Sequence, residues 1–233
     1  MRRSTLLVLV AALGACSSGS GGGPTPRSGL ADVTSVTPDG STSISGGALE
    51  AQLLTLPLGT LTDVEAAGIA FMREEEKLAY DVYVALGGQW GLDVFVNLAA
   101  SEQTHADAVL ALIARYGLTD PVGSNPAGVF AAPVLQGLYD TLSARGSSSL
   151  IDALIVGAEI EEIDIVDIDA RLADVTGNAD IELVYENLKK GSRNHLRAFV
   201  RNLENQNFTY QPQHLTQAAF DAIIASPTEP GAI

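Results

Sequence analysis

With 233 residues, 46% of them hydrophobic and only 6% aromatic, the chain is long enough for one substantial core or two small ones. Its 28 acidic side chains against 13 basic ones give a formal net charge of −15. That balance excludes nucleic acid as an expected partner, because a phosphate backbone demands a basic face. It suits a helical domain whose acidic surface is solvated and attracts cations.

The N-terminus reads as an export signal. "MRRSTLLVLVAALGAC" has a basic start at Arg2 and Arg3, an apolar run from Leu6 to Leu13 and small residues before Cys16. The run is too short to span a membrane as a helix. Its ending, "LGAC", resembles the lipobox of bacterial lipoproteins, in which the cysteine becomes the lipid-modified first residue of the mature chain. The resemblance implies a signal peptide over residues 1–15, lipidation of Cys16, and a membrane-anchored protein facing the periplasm or the outside of the cell. Cys16 is the sole cysteine, so no intrachain disulfide forms. Residues 16–50 are rich in Gly, Ser, Thr and Pro and are expected to be a flexible tether. The folded unit is expected over residues 51–228.

Four long helical segments follow. The first starts after Thr62, an N-cap with Glu65 at capping-box spacing, and runs to about Leu86 before "GGQWG". Its apolar stripe is Ile69, Met72, position 76, Ala79, Tyr83, Leu86. The second extends from about Leu92 to Tyr116 with stripe Phe95, Leu98, position 102, position 105, Val109, Leu112, Tyr116. A loop and a short helix from Pro133 to Ala144 then bridge two ends of a bundle. The third long helix, from Leu150 to Asp174, follows a serine cap. The fourth runs from about Asp180 to Asn205, with stripe Ile181, Tyr185, Leu188, Ser192, His195, Phe199, Leu203. A short terminal helix, "TQAAFDAIIAS", packs across one end. The expected fold is all-α, an antiparallel four-helix bundle with a short bridging helix and a short C-terminal helix.

These stripes are interrupted in the same way on each long helix. The steps alternate 3 and 4, which places residues on one buried face, yet position 76 is Glu76, position 102 is Glu102, position 105 is His105 and the fourth stripe holds His195. On the third helix the best stripe, Ile151, Leu154, Ala158, position 161, Ile165, Ile168, Leu172, turns Glu161 inward, and Glu162 shares that face; periodicity accepts any two of Glu159, Glu161 and Glu162. A single buried acid or imidazole is ordinary. Four at matching heights converge on one layer, where cations would neutralise charge that is otherwise costly to bury. In "REEEK", Arg73 to Lys77, one inward ligand among outward, solvated charges is expected.

These residues resemble the ferritin-like di-iron carboxylate superfamily, most closely its rubrerythrin branch. "EKLAYDVY" matches the first-helix pattern through Glu76, Ala79 and Tyr83; "SEQTH" matches Glu-x-x-His through Glu102 and His105; "SRNHLRAFVRNL" places His195; and "GAEIEEID" matches two glutamates three apart. The chain is also similar to a widespread bacterial family of uncharacterised ferritin-like proteins containing "REEEKLAYDVY", "SEQTH" and "GSRNHLRAF". The resemblance selects Glu159 and Glu162 over Glu161. It implies six ligands, Glu76, Glu102, His105, Glu159, Glu162 and His195, holding two metal ions. A departure is Ser192, three residues before His195, where the superfamily usually has a further glutamate. Tyr83 would hydrogen-bond a ligand carboxylate or pass an electron, unless it is simply a core tyrosine.

A carboxylate-rich site with two imidazoles and no thiolate favours iron or manganese over structural zinc. The family likeness then implies oxygen- or peroxide-dependent oxidation, or metal oxidation, by a candidate di-iron oxidoreductase. With no cysteine beyond Cys16 to build an electron relay, the electron donor would be external. Other expected partners are the membrane, through the lipid on Cys16, and a second copy in a homodimer. The competing reading is a non-catalytic metal-binding or structural bundle at the cell envelope. His214, beside a turn, is expected at the surface.

Overall fold

The computed structural model describes residues 32–230. The expected signal peptide, Cys16 and the first part of the expected tether lie outside the described residues. Among the described residues no helix is long and apolar enough to cross a membrane.

The first elements are β1 (Thr34–Val36), β2 (Thr42–Ile44) and α1 (Gly46–Leu53). They correct the tether expected to reach residue 50. β1 and β2 pair antiparallel, Thr34 opposite Ile44 and Val36 opposite Thr42. The turn between them is closed by Gly40 N–H on the Thr37 carbonyl, with Gly40 at φ +100°. Val33, Thr34, Thr42 and Ile44 are buried, so this short ribbon is part of the folded body. The signal is present in the sequence: β-branched residues alternate on both sides of "TPDG", a turn sequence. Surrounding Ser and Gly dilute it.

The four long helices lie where their periodicity placed them: α2 (Asp63–Trp90), α3 (Asp93–Tyr116), α5 (Leu150–Asp174) and α6 (Ala179–Asn205), with α4 (Pro133–Gly146) bridging and α7 (Gln217–Ala225) closing the chain. Thr62 and Glu65 form the expected reciprocal capping box. α2 and α3 end at Gly91 and Gly117, both in the left-handed conformation that glycine adopts without strain. Ser149 caps α5 by accepting from Asp152 N–H. The architecture is an all-α helical bundle carrying one small ribbon.

The apolar interior is divided in two. One cluster gathers Leu78, Val82, Tyr83, Phe95, Leu154, Phe199 and Leu203. The other gathers Ile69, Met72, Val109, Leu112, Ile168, Tyr185 and Leu188. Between them the same helices contribute polar side chains, all buried: Glu76 from α2, Glu102 and His105 from α3, Glu161 and Asp164 from α5, Ser192 and His195 from α6. A polar layer across the middle of a bundle is costly to bury unless its groups satisfy one another or a ligand.

Candidate metal centre

Glu102 stands at the middle of this layer. Its Oε2 lies 2.9 Å from His105 Nδ1 and its Oε1 lies 2.8 Å from His195 Nδ1. Each imidazole nitrogen then has a further carboxylate of its own: Glu76 Oε2 at 3.4 Å from His105, and Glu161 Oε1 at 3.5 Å from His195. The two rings stack with centroids 5.2 Å apart and planes inclined by 14°. The arrangement is two matched halves, each an imidazole and a carboxylate, sharing Glu102.

The outer nitrogens of both rings meet a single atom. Thr42 Oγ1 on β2 is 3.0 Å from His105 Nε2 and 2.8 Å from His195 Nε2. A hydroxyl oxygen has two lone pairs, so it can accept from two Nε2–H groups at once. In the neutral rings that tautomer would leave both Nδ1 lone pairs on the side of the carboxylates. Thr42 is itself fixed, its N–H donating to Ser101 Oγ at 2.9 Å, while Ile44 N–H donates to Thr104 Oγ1 at 3.0 Å. The ribbon is thereby fastened to α3 directly over the histidines. Sequence reasoning did not single out Thr42 for this layer.

α5 sorts its three glutamates. Glu161 enters the layer and accepts from Tyr83 Oη at 2.6 Å. Glu159 pairs instead with Arg145 and lies 3.3 Å from His214 Nε2. Glu162 Oε2 accepts the backbone N–H groups of Gln213, His214 and Leu215 at 2.9, 2.7 and 2.8 Å, tying down the segment before α7. The choice of Glu159 and Glu162 is thus corrected by geometry: both are held by other partners, and the one residue at the apolar-stripe position, Glu161, faces the histidines. His214 is exposed, as expected. Tyr83 is fully buried against Phe95 and Phe199, with ring centroids at 6.2 and 5.2 Å, and carries the expected hydrogen bond to a carboxylate.

"REEEK" is also different from its expectation, because all five charges are buried. Arg73 pairs with Asp120 at 3.2 Å, Glu74 accepts from Ala131 and Ala132 N–H at 2.5 and 2.9 Å, and Lys77 pairs with Asp81 and donates to the Pro126 carbonyl at 3.0 Å. The segment between α3 and α4 lies over this face of α2 and supplies Asp120, Pro126, Ala131 and Ala132, whereas Asp81 is on α2 itself. Glu75 faces Asp167 of α5, and burial, with Asp164 and Asp167 nearby, pushes its carboxyl well above its usual range.

The electrostatics of the layer are set by burial and by the mutual pull of its acids and imidazoles. Burial pushes Glu76 up to about 7 against the pull of His105. Burial and the Glu102 charge likewise push Glu161 up to about 7. Burial alone would raise Glu102 as well, but His195 and His105 together override it and hold the carboxyl well below the ordinary range. Burial opposes charge on His195, yet Glu102 and Glu161 raise it to about 9. His105 is raised well above its usual value against the same opposition, by Glu102 and Glu76. Protons on the imidazoles therefore balance the carboxylates. Even so, Glu76 Oε1, Glu102 Oε1, His105 Nδ1 and His195 Nδ1 are buried with no hydrogen bond of acceptable geometry. A cation that displaced the imidazole protons would satisfy the carboxylate oxygens and the Nδ1 lone pairs that converge here from three helices. Glu102, His105 and His195 each offer one ligand atom within 4.8 Å of the others.

Comparison with known proteins places the chain in a family. The family described as an uncharacterised protein domain, DUF2202, matches residues 65–227. The chain belongs to the DUF2202 family. It is 48% identical over 177 residues to the uncharacterised protein MJ0754 of Methanocaldococcus jannaschii, covering 76% of this chain and 95% of that protein. The crystal structure of hypothetical protein MJ0754 from the same organism superposes with a TM-score of 0.73, covering 75% of this chain and 99% of that one. The DUF2202 match takes in α2 through α7 and with them Glu76, Glu102, His105, Glu161 and His195; Thr42 and its ribbon precede it.

Proposed function

We propose that the buried layer is a dinuclear metal centre, of iron or manganese, in a bundle of the ferritin-like di-iron carboxylate kind. The observation that carries this reading is the paired geometry: two imidazole Nδ1 atoms, each with its own carboxylate, divided by the two oxygens of Glu102. His105 and Glu76 would hold one ion, His195 and Glu161 the other, with Glu102 shared. All donors are nitrogen or carboxylate oxygen, which suits iron or manganese. Thr42 sets the tautomer that both ligand nitrogens require.

Two bound irons would supply electrons for reduction of dioxygen or peroxide. The residues of the chain define what else reaction would need. The residues of the site are 0–2% exposed, so an oxidant must be as small as dioxygen or peroxide. Tyr83 holds Glu161 in place through its hydroxyl, and Phe95 and Phe199 exclude water on that side. Electrons would come from an external donor. Export, lipidation at Cys16 and attachment to a membrane complete the proposal and rest on the N-terminal sequence alone. The same burial favours a second reading, in which the ions are held without turnover.

Anaerobic reconstitution of the full chain with ferrous iron tests the centre. Two irons per chain are expected, with loss of metal in His105→Ala and His195→Ala. No bound metal, in a chain as stable with the alanines as without, would refute it. Consumption of dioxygen or peroxide by the loaded chain separates the oxidising reading from the holding one.

A further inference from the structure

We propose that Asp164 is a further ligand of this centre, a carboxylate delivered by α5 at the level where α6 presents Ser192. The inference rests on the dinuclear reading and adds a residue to it. α3 and α6 offer the site the same three-residue step, Glu102 to His105 on one and Ser192 to His195 on the other. On α3 that step brings a carboxylate. On α6 it brings a hydroxyl, which adds no negative charge. The hydroxyl is not idle: Ser192 Oγ donates to Asp164 Oδ2.

Asp164 lies one turn beyond Glu161 on α5, and Ser192 one turn before His195 on α6, each a step of roughly 4.5 Å along its helix. The two helices run antiparallel, since Gly157 packs on Phe199 and Asp164 meets Ser192, so both steps lead the same way along the bundle. They lead to the half of the centre that contains His105, whose ring packs against Gly191, the residue next to Ser192. Asp164 is 7% exposed, and its second oxygen, Oδ1, is buried without a hydrogen bond, as are Glu76 Oε1, Glu102 Oε1 and both Nδ1 atoms. A carboxylate with one oxygen fixed by a serine and the other free has the form of a positioned ligand.

Charge gives the same result. Glu76, Glu102 and Glu161 leave two divalent ions incompletely neutralised, and a buried net charge is costly. Adding Asp164 balances them with four carboxylates. Glu75 lies beside Asp164 as well as Asp167, and both of its oxygens are buried without a hydrogen bond of acceptable geometry; unlike Asp164, it has no serine hydroxyl to fix it.

The test is anaerobic titration of the full chain with ferrous iron, read as ions bound per chain and as affinity for each, with folding followed by thermal melting. Asp164→Asn keeps shape and removes charge. It is expected to retain one ion and to bind the second at least roughly 10-fold more weakly, the lower end of what even indirect partners of a metal contribute. The pair Asp164→Ala with Ser192→Glu moves the carboxylate from α5 to α6 with the same number of side-chain heavy atoms, and is expected to restore the second ion. Two ions bound by Asp164→Asn with parental affinity would overturn the proposal. So would a loss that Ser192→Glu does not repair, because the effect would then be one of packing. A parent chain that binds no pair of ions would remove the dinuclear reading itself, and a parent that binds two while Asp164→Asn is unaffected would remove only the role of Asp164.

Discussion

Replacing Gly191 with alanine puts a methyl group into the clearance on which the histidine pair depends. A Cβ built on Gly191 would fall 2.4 Å from His105 Cε1, 2.6 Å from His105 Nε2 and 3.2 Å from Thr42 Oγ1. The first two are roughly 1 Å short of an ordinary contact between such atoms. Gly191 is in mid-helix with no positive φ, so alanine alone would be expected to gain about 0.5–1 kcal/mol from backbone entropy. Overpacking in a rigid interior costs about 1–3 kcal/mol, and the ring has little room to retreat, being held by Glu102 on one side and Thr42 on the other. The net expectation is a loss of about 1–2 kcal/mol in the metal-free chain, together with weaker metal binding because His105 moves. Gly137→Ala is the internal control. It lies in the exposed face of α4 with nothing within 4 Å of the added carbon, so it should be neutral or stabilising by up to about 1 kcal/mol. Urea unfolding of both variants and the parent, with and without ferrous iron, measures the pair. Should Gly191→Ala match Gly137→Ala in stability and bind iron as the parent does, the account of a tightly fixed histidine pair is refuted.

Three further outcomes follow from other contacts. Thr42→Val keeps the shape of the side chain and removes the oxygen that accepts from both rings; iron affinity should fall roughly 10- to 100-fold, and an unchanged affinity by calorimetric titration would deny Thr42 its role in setting the tautomer. Glu161→Gln should lower metal binding, whereas Glu162→Gln, which weakens three backbone contacts before α7, should cost about 1–3 kcal/mol of stability and leave metal stoichiometry intact; the reverse pattern would restore Glu162 as the ligand. Glu65 works against its burial through hydrogen bonds from Thr176 N–H, Thr62 and Asn178, which bring its carboxyl to about 2 from an ordinary 4.5. Its folded value lies below its free one, so its charge stabilises the fold above about pH 4.5, and that contribution drains away as pH falls towards 2. Denaturant titrations across that range should show a shallower pH dependence for Glu65→Gln than for the parent.

The helices were legible because their signals are local. Thr62 with Glu65, Ser149 before α5 and the glycines at 91 and 117 are caps that act within one turn, and the 3,4 alternation of apolar residues fixes which face each helix buries. The same alternation was enough to turn Glu76, Glu102, His105 and His195 inward. On α5 it placed Glu161 at the stripe position, and a family likeness pointing to Glu159 and Glu162 was the weaker guide. What a side chain meets once it faces inward depends on the neighbouring element. Glu159 finds Arg145 of α4, and Glu162 finds three backbone N–H groups fifty residues downstream. No periodicity contains those partners.

By itself, the sequence determined four amphipathic helices, their ends, and the presence of acids and imidazoles in their buried stripes, because each of these depends on residues one or two turns apart. Only the tertiary structure decided which acids share a site, that Asp164 meets Ser192 across two antiparallel helices, and that Thr42 reaches both histidines from a ribbon 63 and 153 residues away in sequence. Those choices follow from which surfaces come together when the bundle closes, and from the need of each buried polar group to find a partner there.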